Sequence, residues 1–309
     1  MKFYKPKFWD KKNISFLSFL LLPVSFLVIA LSFFKKLIAK NKKVSLPVIC
    51  IGNIYIGGTG KTPLTLEMFN ILKNLNKNPA FIRKKYQNHK DEVILQKQFG
   101  PVFENIKRID AINDAIKKNV NVVILDDGFQ DFSVNKNLSI LCFNEKQWIG
   151  NGFVIPAGPL REKLTAMKRA QCVIINGKEN IHIEKKILSI NESIKIFYSK
   201  YIPLNIDSFR GKKIVAFAGI GNPGNFFDLL EDNKIEISKK INFPDHYNYP
   251  EDELQKLIMI AKEKNAILLT TEKDYLRIDE NYKKNINYLK IKTDINNKNQ
   301  FVEEIKKII

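Results

Sequence analysis

Charge is missing from one long stretch of this chain, and arginine is scarce throughout. From Ile14 to Phe34 there is no Asp, Glu, Lys or Arg, a run of 21 residues between Lys11-Lys12 and Lys35-Lys36. Among 51 basic residues only six are arginine, at 83, 108, 161, 169, 210 and 277. Cysteine is limited to Cys50, Cys142 and Cys172, each inside an apolar run (VICIG, SILCF, QCVII). An odd number in such runs argues against disulfides and metal-ligating thiols and fits a reducing compartment. Repeats and low-complexity tracts are absent. With 309 residues and 45% hydrophobic content, the chain has room for about two domains with real cores.

The net charge of +19 and a pI near 9.6 attract anions. The lysines are spread along the whole chain, however, and no zinc spacing, aromatic RNP pattern or helix-turn-helix signature accompanies them, so nucleic acid is not the expected partner. An anionic membrane surface or a phosphorylated substrate accounts for the charge equally well. About 20 apolar residues suffice to cross a bilayer as a helix, so the 14–34 stretch predicts membrane contact. No small-residue cleavage site marks it as a removable signal. Pro23 and the serines Ser15, Ser18, Ser25 and Ser32 weaken it as a span. A single span and a helix lying in the interface both remain open, and either way the residues that follow face the cytosol.

What is present is a phosphate-binding pattern. Val48-Ile-Cys-Ile-Gly-Asn-Ile-Tyr-Ile-Gly-Gly-Thr-Gly-Lys-Thr-Pro63 reads as a buried strand running into a glycine-rich turn, with a helix predicted over Leu64 to Leu75. Glycines let backbone N–H groups crowd around phosphate oxygens, Lys61 reaches the terminal phosphates, and Thr62 can ligate Mg²⁺. The strict pattern wants glycine where Tyr55 stands, so the surviving core is Gly57-Gly58-Thr59-Gly60-Lys61-Thr62. Val122-Val-Ile-Leu-Asp-Asp-Gly-Phe-Gln130 is the second element: an apolar strand ending in Asp126 and Asp127 delivers a carboxylate beside such a loop. If the strand continued, the two carboxylates would face opposite sides and one would touch the metal.

Strands are predicted at Pro79 to Ile82, Val122 to Asp126, Leu138 to Phe143 and Gln171 to Ile175. A second series runs over Lys213 to Ile220, Ile235 to Phe243, Ala266 to Thr270 and Ile286 to Ile291. Their helix-length spacing predicts two α/β/α domains, the first a P-loop NTPase-like doubly wound parallel sheet, preceded by a membrane-associated helix. The expected domains are 1–40, 41–205 and 206–309, with the nucleotide in a cleft between the halves.

Six ordered motifs carry a family resemblance. They are Gly-Asn-Ile-Tyr-Ile-Gly-Gly-Thr-Gly-Lys-Thr-Pro at 52–63, Asp-Asp-Gly-Phe-Gln at 126–130, Pro-Ala-Gly-Pro-Leu-Arg-Glu at 156–162, Phe-Ala-Gly-Ile-Gly-Asn-Pro at 217–223, Phe-Pro-Asp-His-Tyr at 243–247 and Thr-Thr-Glu-Lys-Asp at 270–274. Together they resemble the tetraacyldisaccharide 4′-kinases, the lipid A 4′-kinases. In that family the position of Tyr55 is not glycine either. The resemblance implies an enzyme at the cytoplasmic face of the bacterial inner membrane. It would use ATP and Mg²⁺ to phosphorylate the 4′-hydroxyl of a lipid disaccharide 1-phosphate.

On that resemblance Gly57, Gly58, Thr59, Gly60, Lys61, Thr62 and Gln130 belong to the nucleotide, and Thr62, Asp127 and Glu162 to the metal. Asp126, Asp127 and Arg161 belong to the catalytic centre. Asp91 and His246 match the family's acid–base pair, although glycines and a proline usual around the former are absent from Arg83-Lys84-Lys85-Tyr86 and Lys90-Asp91-Glu92-Val93. A sugar hydroxyl needs a positioned base during phosphoryl transfer, which suits a His–carboxylate pair. The charge of Lys84, Lys85 and His89 suggests a contact for the acceptor's 1-phosphate. A switch-type GTPase or ATPase shares the Gly-Gly-Thr-Gly-Lys-Thr core. Such proteins usually carry lysine where Ile56 stands, and Thr271-Glu-Lys-Asp274 is a poor guanine-reading element.

Overall fold

In a computed structural model the described residues are 5–10, 14–85 and 90–309, with the side chain of Lys90 also left undescribed. They divide into two compact units. The larger comprises Lys5–Lys85, Phe99–Lys200 and Asp294–Ile309; the smaller is built from residues 90–98 and Tyr201–Thr293. The division is thus not a single cut near residue 205.

The larger unit starts with two helices, α1 (Phe16–Leu20) and α2 (Leu22–Ile38). The charge-free run therefore does not form one continuous helix. Leu21 caps α1, and Pro23, which lacks an N–H, sits in the first turn of α2. At 17 residues α2 is about 26 Å long, and among the described residues no helix is long and apolar enough to cross a membrane.

Beyond these helices come β1 (Val48–Gly52), α3 (Lys61–Asn74), β2 (Pro79–Lys84), α4 (Lys90–Lys97), β3 (Val102–Asn105), α5 (Arg108–Ile116), β4 (Val122–Asp126), β5 (Leu138–Asn144), β6 (Cys172–Asn176), α6 (Ile181–Leu188) and β7 (Lys195–Pro203). The smaller unit's series is β8 (Ile214–Ala218), α7 (Pro223–Asp232), β9 (Ile237–Asn242), α8 (Glu251–Glu263), β10 (Ile267–Thr271), α9 (Glu272–Tyr275), α10 (Glu280–Lys283) and β11 (Ile286–Leu289). The chain ends with β12 (Ile291–Ile295) and α11 (Lys298–Lys306).

The eight-stranded sheet has the order β12-β7-β6-β5-β1-β4-β2-β3, parallel from β7 to β3. Because strand side chains alternate, successive residues serve opposite cores. Val48, Cys50, Val123 and Leu125 meet α5 and α6 on one face, while Ile49, Ile51, Val122 and Ile124 meet α3 and α11 on the other. All three cysteines are buried and free. The four-stranded sheet, β11-β10-β8-β9, is parallel and likewise two-faced, with Phe226 and Leu230 of α7 in one core and Leu254 and Leu257 of α8 in the other.

The predicted single strand over Ile286 to Ile291 is two strands in two sheets. Lys290 interrupts the run, and its N–H and carbonyl are taken by Asn205 Oδ1 (2.9 Å) and the Leu204 N–H (2.8 Å). The tail beyond it belongs to the larger unit: Phe301 is fully buried, edge-on to Phe197 at 5.1 Å between ring centroids. We expect Phe301→Ala to destabilise the larger unit by about 3–5 kcal/mol in urea unfolding; a cost under about 1 kcal/mol would contradict this placement.

Candidate active site

The glycine-rich loop leaves the carboxyl end of β1, where open parallel sheets bind ligands. Gly57, Gly58 and Gly60 take φ values of 78°, 48° and 92°, left-handed conformations that glycine adopts without a Cβ clash. Gly60 caps α3, so Lys61 and Thr62 occupy its first turn, at the positive end of the helix dipole. Thr59 is buried and its hydroxyl accepts from Asn53 Nδ2 at 2.9 Å, while Gln130 Nε2 donates to the Asn53 carbonyl at 2.9 Å. Asn53, unmarked by the motif reading, thus ties the loop to the Asp-Asp-Gly-Phe-Gln element. Its Oδ1 is buried with no hydrogen-bond partner among the described residues.

Tyr55, where the strict motif wants glycine, is completely buried. Its hydroxyl donates to Asp10 at 2.6 Å and accepts from Lys5 at 2.9 Å, while its ring packs with Val154 and Leu160. Main-chain bonds from Ile56 N–H to the Pro159 carbonyl (2.9 Å) and from Arg161 N–H to the Ile54 carbonyl (2.7 Å) bring the Pro-Leu-Arg-Glu element alongside the loop.

The two acidic residues at the end of β4 part company. Asp126, the last strand residue, is buried and ion-paired with buried Arg83 from β2. Asp127 turns away at φ 52°, its side chain 36% exposed. Arg161 Nη1 donates to both of its oxygens at 2.8 and 3.0 Å, and Lys61 Nζ lies 3.7 Å away. The strand does not continue as the opposite-faces expectation assumed; the turn at Asp127 separates the pair instead. Glu162 is gripped by Arg169 through both oxygens at 2.9 Å.

Buried Arg108 was not singled out from sequence. It donates to the carbonyls of Asp126 (3.2 Å) and Asp127 (3.0 Å) and to Asp131 (2.8 Å), fixing the turn that presents Asp127. A signal for it existed: in a chain that uses lysine almost everywhere, four of the six arginines, 83, 108, 161 and 169, hold this region's carboxylates. Among the described residues no group of three metal-ligating side chains forms. Thr62 and Asp127 still suit a nucleotide-borne Mg²⁺, which takes one or two carboxylates and completes its shell with phosphates and water.

In the smaller unit the structure brings Asp91 and His246 together. Asp91, in the first turn of α4, is buried; its Oδ2 lies 3.3 Å from His246 Nδ1 and accepts from Arg277 at 3.1 Å. Burial by itself would raise the Asp91 pKa, but His246, Lys273 and Arg277 together hold it below the usual carboxylate range. Lys273 Nζ stands 3.4 Å from His246 Nε2 and 2.7 Å from Glu92.

His246 sits at φ 54° with its N–H on the Gly219 carbonyl at 3.0 Å. Asp274, fully buried, accepts from the Gly219 N–H (3.0 Å), the Tyr249 hydroxyl (2.8 Å) and Arg277. Gly219, His246 and Asp274, from three separate motifs, thus form one knot, with Lys273, inside the third motif but given no role there, and Arg277, which sequence reasoning missed. Lys84 and Lys85 are exposed at the end of β2, whereas His89 lies outside the described residues.

Asp131 offers a pH test of the Arg108 network. Burial opposes its charge, but bonds from Ser133 N–H (2.9 Å) and hydroxyl (2.6 Å) and from Arg108 outweigh this and lower its pKa from 3.8 to about 2. The folded form therefore holds its proton less tightly than the unfolded chain, so the stabilisation is complete above pH 3.8 and fades toward about 2. Asp131→Asn should lower the urea midpoint at pH 7, with the gap to wild type narrowing below pH 4; a gap independent of pH would contradict the network.

The family model of tetraacyldisaccharide-1-P 4′-kinase (LpxK) matches residues 17–309. A tetraacyldisaccharide 4′-kinase of Pelagibacter ubique is 44% identical over 313 residues, covering 100% of this chain and 99% of the relative. One from Rickettsia bellii is 33% identical over 99% of this chain and 98% of its own. The crystal structure of Aquifex aeolicus LpxK in complex with ATP superposes with a TM-score of 0.71 at 25% identity, covering 94% of this chain and 99% of that one. By the extent of these matches, the chain belongs to the tetraacyldisaccharide-1-P 4′-kinase family.

Proposed function

We propose that this chain transfers the γ-phosphoryl group of ATP to the 4′-hydroxyl of a tetraacyl disaccharide 1-phosphate. The observation that carries the reading is the grouping of Lys61 and Arg161 on Asp127 beside three left-handed glycines. That is a ready phosphate site whose cations are held, in the absence of phosphate, by one carboxylate. As nucleotide enters, N–H groups of the loop and of the first turn of α3 receive its phosphate oxygens, and Lys61 and Arg161 transfer to them. Asp127 and Thr62 would hold Mg²⁺ there. Bound Mg²⁺ would neutralise charge on the phosphates. Glu162 as a further metal contact would first have to exchange Arg169. Asp126, closed off by Arg83, serves the centre by anchoring the turn.

His246 Nε2 takes the proton of the 4′-hydroxyl. The bond from that oxygen to the γ-phosphorus forms as the bond to the bridging oxygen breaks, and ADP leaves. Asp91, kept ionised, orients the ring through Nδ1 and stabilises the imidazolium.

Membrane contact is assigned to the α1–α2 segment, at the cytoplasmic face of the inner membrane where ATP is available. Its polarity is inverted relative to an ordinary surface helix. Ser25 is buried, donating to the Val154 carbonyl (2.8 Å) and accepting from the Ala157 N–H (3.0 Å), and buried Ser18 accepts from Asn151 (3.1 Å). Phe16, Phe19, Phe26, Leu31 and Phe34 are meanwhile exposed. Such a face suits a bent helix lying in the interface.

With γ-labelled ATP and purified disaccharide 1-phosphate in detergent, label should appear in the lipid; release of phosphate without labelled lipid would defeat the kinase reading. Lys61→Ala and Asp127→Ala should abolish transfer with the fold intact by circular dichroism. His246→Ala should lower kcat by about 10²–10⁴-fold at unchanged KM for ATP. Replacing Phe19 and Phe26 by Ser should reduce co-sedimentation with anionic vesicles without changing Tm, and unchanged sedimentation would rule out membrane contact through α1 and α2.

A further inference from the structure

A cavity of about 250 Å³ opens in the larger unit beside the C-terminal end of α2. Its wall combines Phe129, Phe132 and Val134 with the polar side chains of Asn41, Asn135 and Ser139, and three cations face it: Lys36, Lys136 and Arg169. No Asp or Glu is among its lining residues. Arg169 is fixed, its guanidinium 4.5 Å above the Phe129 ring and 5.1 Å from that of Phe132, with Glu162 as its ion pair. Lys136 is the unusual member. Its ammonium donates to the main-chain carbonyls of Phe129 and Asp131, and no carboxylate pairs with it among the described residues.

Lys136 is half-buried, and desolvation depresses its pKa even though the nearby Asp131 charge pulls the other way, so the ammonium is under-compensated. An anion in the cavity would supply the missing compensation. The position restricts what the anion is attached to. Lys36 lies in the last turns of α2 and Ala39 directly follows the helix, while Phe33, Phe34, Leu37 and Ile38 around them are exposed apolar residues. A group entering past Lys36 therefore keeps its anionic part in the cavity and an apolar part along α2.

We propose that this cavity binds the phosphate ester of a lipid, seated between Lys36, Lys136 and Arg169 with the acyl chains lying along α2. The inference deepens the lipid-kinase reading, from which it takes only that lipid phosphates reach this face. Two sources share the chemistry: a bulk anionic phospholipid, or the 1-phosphate of the acceptor itself.

The test is titration calorimetry with monomeric dihexanoylphosphatidic acid on three proteins: wild type, Lys36→Glu/Asn41→Asp, and Lys35→Glu. Both altered positions of the double variant are at the rim, so the core is untouched, and exposed Lys35 carries the same type of charge reversal outside the cavity. Wild type and Lys35→Glu should bind alike, and the double variant at least about tenfold more weakly, the loss expected for a charge-assisted contact. No binding by wild type, or equal binding by the two variants, would overturn the site.

Kinetics in neutral detergent then separate the sources. If the acceptor uses the cavity, the double variant raises its KM at unchanged KM for ATP. If a phospholipid uses it, that KM stays and stimulation by added phosphatidylglycerol is lost. Because calorimetry needs no turnover, binding without transfer would defeat the kinase reading and leave the cavity standing.

Discussion

Lys61 and Arg161 converge on a loop built for phosphate, and like charges brought so close need a counter-charge when no phosphate is there. Asp127 supplies it, bidentate to Arg161 and 3.7 Å from Lys61. Much of the larger unit can be understood as holding that one carboxylate in place. β4 carries it to the edge of the sheet, Arg108 pins the carbonyls on either side of the turn, and Arg83 removes Asp126 from competition. The bonds of Ile54 and Ile56 to the 159–161 segment set Arg161 at the correct height.

The same economy governs the smaller unit. Burial alone would favour protonated Asp91, and the contact with His246 together with the charges of Lys273 and Arg277 keeps it ionised. Asp274, in turn, fixes Arg277 and the Gly219 turn that receives the His246 N–H. At the other end of the chain, the buried serines and exposed aromatics of α1 and α2 leave their apolar face facing outward.

Locally determined features were legible in the sequence. β4 spans Val122–Asp126 as its apolar run predicts, and the Gly57–Thr62 core has the backbone its glycines allow. Features set by topology were not. Parallel pairing of Ile82 with Leu125 puts Arg83 beside Asp126, a neighbour relation invisible without the strand order. The placement of α4, directly after β2 in the chain but with the smaller unit in space, brought Asp91 to His246, and the family resemblance alone anticipated it. The strand-like run Ile286-Asn-Tyr-Leu-Lys-Ile291 gave no local sign of the break at Lys290, where hydrogen bonds with distant Asn205 and Leu204 decide the strand ends.

We propose that Asp127 would give up Lys61 and Arg161 to hold Mg²⁺ once nucleotide is bound. This exchange is tested by the Kd of a non-hydrolysable ATP analogue, with Mg²⁺ and with a chelator, for wild type and Asp127→Asn. Wild type should bind more tightly with Mg²⁺. Asp127→Asn, its cations already free, should bind the metal-free nucleotide more tightly than wild type does and gain nothing from Mg²⁺. Weaker metal-free binding by Asp127→Asn, or an undiminished gain from Mg²⁺, would contradict the account.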